Sequence, residues 1–526
     1  MLRPLALLAP ALLSCASASV APPEEPLGAA ATVGAIAGGE MTAVGATKAA
    51  LARIAARDGE VRSVLALSPT ARAQAAALDA RAEAAGPLHG LPVLIKDNIE
   101  TKDQPTTAGS LALAANDTGR DAPAVARLRA AGAVILGKAN LSEWANFRST
   151  ESISGWSAAG GQTRNPYSLN RTPCGSSSGS GAAVAAGFVP AALGTETNGS
   201  VICPAAANGV VGFKPTVGLV SRSRVVPISH TQDTIGPMAR SVADAALLLS
   251  VMAGPDAADE ATAQAGAHLP PASLPADGLA GRRVGVLRFA VGDDERIAAL
   301  FDDALGVLRA QGAELVEIEA WEAPETLWAD EFTVLTAEFK AGLNDYLSDA
   351  APGVAVRSLE ALIAFNEENA AREMPLFGQE ILAQSQATDG LSDAAYLEAL
   401  PRMLKAVRED GIERLLADVD LLVSPSGRPA FLIDPVAGDD YRGGVGIGWM
   451  AAMAGTPHLT VPMGQVSGLP VGLSFYGAAW ADAEVLAAGA DYEAARGPLP
   501  GPSFARDGFD RAATRDALAR PVTTGD

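Results

Sequence analysis

The sequence predicts a layered α/β protein, on three observations. Hydrophobic residues make up 48% of the 526-residue chain, enough to bury a sizeable core. Short apolar runs bounded by Gly and Pro recur along it, with stretches of helical spacing between them. Residues 283–319 then read strand, helix and strand in succession: "RVGVLRF", a helix over 294–311, and "AELVEIE". That order builds sheets covered by helices. The length is about three times the usual single-domain size, yet one large α/β domain can hold it.

The chain opens on "MLRPLALLAPALLSCASASVAPP". Arg3, an apolar run from Leu5 to Leu13 and small residues after it form a signal-peptide pattern over 1–18, with cleavage after Ala18. The run is too short to span a bilayer. "LLSC" also fits a lipoprotein leader ending before Cys15. The expectation is an exported protein, periplasmic or extracellular, either soluble or anchored through Cys15. Residues 19–39 read as an N-terminal linker. Over 40–86 helices are expected, because Val64, Leu67 and Ala71 recur at helical spacing among charged residues. "GLPVLIKDNI", 90–99, reads as a short buried strand, 120–131 as a helix, and "GAVILGKAN", 132–140, as strand then turn.

From 154 to 181 Gly, Ser, Asn and Pro dominate, which is loop chemistry. "AAVAAGFVPAAL", 182–193, returns to helix and strand. A polar, Pro-rich stretch at 255–281 reads as a linker or insertion, and 321–420 as mostly helical and acidic. "DLLVSPS", "PHLTVPM" and "PVGLSFYG" complete the strands. The folded domain is expected over 40–515, with a C-terminal tail at 516–526.

The formal net charge of −21 argues against nucleic acid or an anionic membrane surface as a partner. No second stretch is long and apolar enough for a membrane span. The four histidines (His89, His230, His268 and His458) are scattered, and no Cys or His spacing suits a metal, so neither metal nor cofactor is expected. Cys174 and Cys203 imply no disulfide framework, although two cysteines in an exported chain could pair.

Chemistry concentrates in three places. Lys96 ends the apolar run "VLIK", where burial would disfavour its ammonium form and make it a base. The plainer alternative is a lysine at a strand end, snorkelling or paired with Asp97. The loop "TPCGSSSGSGAAVAAG", 172–187, runs into a helix as a phosphate cradle would, but lacks the Gly-Lys-Ser/Thr ending. Its "GSSSG" satisfies G-x-S-x-G around Ser177, yet no strand precedes it, so the nucleophile-elbow reading fails. Ser200, in "GTETNGSVICPA", has no histidine nearby in the chain to take its proton.

Together, a lysine after "GLPVLI", a Ser/Gly loop following "TRNPYSLNRTP" and "GTETNGSVICPAAANGVVGFKPTVGLVSR" form one series. It closely resembles the amidase signature family of serine hydrolases. The resemblance runs from about residue 40 through "TPHLTVPMGQVSGLPVGLSFYG" and is densest at 154–244. It implies a single large domain with a mixed β-sheet core flanked by helices. Carried over by position, it makes Ser200 the nucleophile, Ser176 a bridging serine held after a cis peptide bond, and Lys96 the base. The backbone of Thr197, Asn198, Gly199 and Ser200 becomes an oxyanion hole, supported by the loop residues Gly175 and Ser177. The proton of Ser200 would pass to Ser176 and on to a neutral Lys96, desolvated by Val93, Leu94 and Ile95.

The chain departs from the family's commonest wording: Cys174 and Ser178 replace glycines in the serine loop, Asn198 replaces another, and Cys203 stands where many members carry Arg. Asn is well tolerated at positive φ. The two cysteines match no base and read as small packed residues near the site. The resemblance is greater to the peptide amidase branch, which removes C-terminal amides of peptides, than to the tRNA-linked glutamine branch. It implies a small amide or amidated peptide as substrate and a monomer or homodimer, with the 321–420 region and Gly427–Phe431 forming the acyl-side pocket. An aryl or acyl amidase, an esterase with the same triad, and a noncatalytic exported binding protein on the same scaffold stay open.

Overall fold

Why a chain of this composition folds around Lys96 follows from its strand order. The computed structural model describes residues 26–508; the expected leader with Cys15 and the tail 516–526 lie outside the described residues. In chain order the described strands are β1 (Val64–Leu67), β2 (Pro92–Lys96), β3 (Val134–Ala139), β4 (Trp156–Ser157), β5 (Gly161–Gln162), β6 (Ala191–Glu196), β7 (Val211–Lys214), β8 (Thr234–Ala239), β9 (Arg283–Leu287), β10 (Glu314–Ile318), β11 (Leu421–Pro425), β12 (His458–Val466) and β13 (Leu469–Tyr476). The strands β4 and β5 pair with each other, and the other eleven form one mixed sheet in the order β1-β3-β2-β6-β8-β7-β12-β13-β11-β9-β10. Helices cover both faces, as the clusters around Leu193, Val284 and Phe475 on one side and Leu94, Ala192 and Val201 on the other show. This is the single domain with a mixed sheet and flanking helices that the sequence implied.

The strand β2 lies between β3 and β6, parallel to both, with Ile95 opposite Leu193 and Lys96 opposite Ala139. Every residue of β2 is buried. Strands that are buried on both faces read as continuous apolar runs, which is why "PVLI" shows no alternation. By the pleat only Leu94 shares the face of Lys96; Val93 and Ile95 point the other way, into the opposite cluster. The lysine is therefore desolvated by the layers packed on the sheet rather than by the three residues before it.

Two expectations need correction. Residues 40–86 are not all helical: between the helices Ala43–Val61 and Ala71–Asp79 lies β1, antiparallel to β3. The break has local causes. Arg62 sits at φ 56°, ending the first helix, and Asp58 accepts hydrogen bonds from Ser63 N–H (2.8 Å), Ser63 Oγ (2.6 Å) and Val64 N–H (3.2 Å). Helical spacing at three positions could not reveal a side chain turning the backbone. Within 19–39, the helix Ala29–Ala37 is docked by Asp244, which accepts from Ala30 N–H at 2.8 Å. The stretch 255–281 holds a short 3₁₀ helix, Glu260–Ala267.

The 321–420 region is helical as expected. Its long helix Leu327–Ser348 packs Val334 and Ala337 against Tyr396 and Met403. It also packs Leu335, Phe339 and Leu343 against Phe147, Val226 and Ile228. Two apolar faces fasten it to both halves of the molecule.

Behind Lys96, Asp97 pairs not with it but with the buried Lys138 at 3.4 Å. Asp97 also accepts from the Thr107 hydroxyl and from Thr107 N–H at 3.1 Å, tying the loop after β2 to β3. Breaking such a buried pair by removing one partner leaves an uncompensated charge. Asp97→Ala should destabilise the fold by about 3–5 kcal/mol in denaturant unfolding. The double variant Asp97→Leu/Lys138→Met should recover only part of that loss, because Thr107 N–H and Ile99 O then lose their partners.

Candidate active site

Lys96 is fully buried, and burial pushes its ammonium down to about 7, against the opposing pull of Asp233 and Glu196. Its Nζ lies 2.7 Å from Ser176 Oγ, 2.8 Å from Thr195 Oγ1 and 3.2 Å from Thr195 O. Three acceptors thus surround the amine, Ser176 Oγ and both oxygens of Thr195; deprotonated, the amine would keep two N–H groups for Thr195 and turn its lone pair to Ser176. Asn98 Nδ2 donates to the same Thr195 Oγ1 at 3.0 Å.

Ser176 follows a cis peptide bond from Gly175 and is buried. Gly175 has no room for a side chain: a Cβ there would sit 2.3 Å from Ser142 Oγ and 2.9 Å from Asn146 Oδ1. Ser177 Oγ donates to Thr195 O (3.1 Å) and accepts from Thr195 N–H (3.2 Å), so the serine loop is laced onto the end of β6. Ser178 Oγ donates to Cys174 O at 2.6 Å, giving a family glycine position a loop-closing role. The preceding Cys174 takes the left-handed conformation, φ 56°.

Ser200 sits in the turn between β6 and the helix Ile202–Ala207. Buried Glu196 makes that turn: its Oε2 accepts from Val201 N–H (2.7 Å) and Ile202 N–H (3.0 Å). The left-handed residue is Gly199, at φ 80°, and Asn198 lies outside that region, so Asn198 imposes no backbone cost. Ser177 N–H donates to Ser200 O at 3.1 Å, joining the two serine segments through their backbones. Among the described residues, no hydrogen bond links the Ser176 and Ser200 hydroxyls directly. The N–H groups of Asn198, Gly199 and Ser200 donate to no protein acceptor in the described chain.

Thr197, Asn198, Gly199 and Ser200 line a cavity of about 660 Å³ together with Gly175. Its walls are mainly apolar, including Phe147, Ile202, Ile228, Trp328, Leu335 and Trp449, with Asn146, Ser426 and Tyr441 as polar members. The 321–420 region thus enters through Trp328 and Leu335. Residues Gly427–Phe431 instead line an adjoining chamber of about 170 Å³. Cys174 and Cys203 border both spaces and are joined by a disulfide, their Cα atoms 5.8 Å apart. The pairing corrects the reading of them as merely small packed residues; 29 residues apart in sequence, they meet only because the serine loop crosses the Ser200 helix.

Sequence reasoning also missed the residues that hold the Ser200 loop from outside. Thr197 Oγ1 donates to Asp233 at 2.5 Å, Asn198 Nδ2 to Glu331 at 2.6 Å, and Gln232 Nε2 to Thr197 O at 3.2 Å. Burial raises the carboxyls of Asp233 and Glu331 above their ordinary values, and these donors oppose the shift. Glu331 lies 131 residues beyond Ser200, and no spacing in the chain marks it. His458 is buried at Ser474 Oγ, 2.7 Å from Nε2, and no histidine lines the cavity among the described residues.

The family model described as Amidase matches residues 15–486. The chain is 46% identical to the native peptide amidase of Stenotrophomonas maltophilia, whose crystal structure superposes with a TM-score of 0.84 over 91% of this chain and 98% of that one. It is 42% identical to a probable amidase of Arabidopsis thaliana over 76% of this chain and 75% of the relative. It is also 39% identical to a glutamyl-tRNA(Gln) amidotransferase subunit of Roseiflexus castenholzii, over 87% of this chain and 93% of that protein.

The disulfide has a direct readout. Alkylation of the denatured protein should label two more thiols after reduction than before it, on the peptides carrying Cys174 and Cys203. Equal labelling would remove the bond.

Proposed function

Because the chain belongs to the amidase family, we propose that it is a serine amidase that cleaves carboxamides through an acyl-enzyme, with C-terminally amidated peptides as its substrates. The observation that carries the reading is the buried amine of Lys96, 2.7 Å from Ser176 Oγ and neutral above about pH 7. Ser200 attacks the amide carbon while its proton passes to Ser176, and the Ser176 proton passes to Lys96. Charge gathers on the carbonyl oxygen, and the N–H groups of the 197–200 loop receive it. One such donor is worth about 3 kcal/mol of barrier. Lys96 then returns a proton through Ser176 to the leaving nitrogen, ammonia departs, and water cleaves the ester on Ser200 by the same relay in reverse.

In the described chain the two hydroxyls do not touch, which suits a relay that tightens when the amide substrate binds. The apolar cavity supports an acyl side chain against Trp328, Trp449 and Leu335. The likeness to the Stenotrophomonas peptide amidase supports the peptide-amide class. The same reading has the enzyme exported. The leader pattern supports this, and so does a disulfide, since such bonds persist in oxidising compartments. Intact mass of the mature protein tests it: a chain beginning at Ser19, or lipidated at Cys15, is expected, and a full-length soluble chain would overturn export.

Ammonia release from C-terminally amidated dipeptides tests the chemistry. Ser200→Ala should lower kcat by about 10⁴-fold or more, and Lys96→Ala by about 10²–10⁴-fold. Lysine is active unprotonated, so kcat/KM should fall about tenfold per pH unit below about 7 and level off above it. Turnover by Ser200→Ala within about tenfold of wild type would sink the mechanism. Turnover of aryl amides or esters alone would keep the mechanism and replace the substrate class.

A further inference from the structure

We infer that Glu331 is a positioning residue that sets the oxyanion-binding peptides of the 197–200 loop; this rests on the serine-amidase reading and deepens it. Glu331 lies in the helix Leu327–Ser348, three residues after Trp328 and four before Leu335, and both of those line the cavity. The spacing puts all three on one helix face. Its side chain is buried, and Oε1 accepts two hydrogen bonds, from Asn198 Nδ2 at 2.6 Å and from Gln232 Nε2 at 3.1 Å. The same Gln232 Nε2 reaches Thr197 O at 3.2 Å, so both of its N–H groups are committed.

The consequence for the loop is geometric. In a trans peptide the C=O and the N–H point in opposite directions. Holding Thr197 O on Gln232 therefore turns the Asn198 N–H to the far side of that peptide plane. Cys203 N–H, on Gly199 O at 2.8 Å, does the same for the Ser200 N–H. Glu331 is the acceptor that orients the Gln232 amide and also anchors the Asn198 side chain, so it controls one peptide plane by two routes. The clamps at Glu196 and Asp233 do not pass through it. Removing Glu331 loosens the donors without undoing the turn. The face that receives the substrate's side chain is also the face that holds the loop, so packing against Trp328 and Leu335 bears on the donors.

The test compares Glu331→Ala with Glu331→Gln in the full chain, by ammonia release from an amidated dipeptide. Glutamine keeps a carbonyl oxygen where both donors converge; alanine keeps none. Glu331→Ala should lower kcat about 10²-fold with KM within about twofold, and Glu331→Gln should stay within about threefold of wild type. A peptide aldehyde, which forms a tetrahedral adduct, should lose affinity for Glu331→Ala in step with kcat/KM. Asn198→Ala should cost less in the Glu331→Ala background than alone. Should Glu331→Ala fail to fold, Asn198→Ala and Gln232→Leu must each show the same loss in kcat without a rise in KM. Equal losses in the Ala and Gln variants, a loss confined to KM, or full activity in Glu331→Ala would overturn the inference. A wild type inert towards every amide and ester would instead remove the serine-amidase reading beneath it.

Discussion

The structure depends on keeping one amine out of water. Lys96 has no exposed surface, and its Nζ is surrounded by Ser176 and Thr195 instead of solvent or a carboxylate salt bridge. A lysine moved from its ordinary 10.5 to about 7 weakens the fold, on the order of 4–5 kcal/mol at neutral pH and below. The sign follows from proton binding: between about 7 and 10.5 the unfolded chain holds the proton and the folded chain does not, so this group makes the fold more stable as pH rises through that window. The apolar layers on the sheet offset that cost, as they do for Lys138 and Lys214, which are also buried and whose ammonium groups burial also pushes down.

Around that amine the chain brings three separate segments together by backbone and short side chains. Thr195 at the end of β6 touches both Lys96 and Ser177. Glu196, the next residue, turns the chain so that Ser200 comes round on the same side. The serine loop then crosses the Ser200 helix, where Ser177 N–H meets Ser200 O and Cys174 is bonded to Cys203. Each tie is short-range, so a displacement at one segment is felt at the others.

The helical region between β10 and β11 completes the site from outside the sheet. Its long helix gives Trp328 and Leu335 to the cavity wall and Glu331 to the back of the Ser200 loop. Tyr441, Gly444 and Val445, from the segment between β11 and β12, close the opposite side. Lys96, Ser176 and Ser200 thus stand on the sheet and its loops, while much of the cavity wall comes from elements added between strands.

Lys96, Ser176 and Ser200 were singled out by the resemblance to the amidase signature family, since the local patterns alone left Lys96 with a plainer reading and gave Ser200 no base. The strands β2, β3, β6 and β9 to β13 were legible as short apolar runs bounded by turn residues; β4, β5, β7 and β8 were not read, and β1, whose Val64 and Leu67 fit a helix equally well, forms where Asp58 caps the turn before it. Glu331, Gln232 and Asp233 were not legible, because an acidic or amide side chain on a helix or loop carries no sign of what it will face. The same holds for Cys174 and Cys203, whose pairing requires two loops to cross. Asp97 and Lys138 show the limit most plainly: the chain puts Asp97 beside Lys96, yet Asp97 lies in the turn after β2 and its partner comes from β3. By itself the sequence determined which residue types stand in which local turn, strand or loop; the tertiary structure alone decided which of them meet, because contacts between distant segments depend on strand order and on side-chain direction, and neither is written in local spacing.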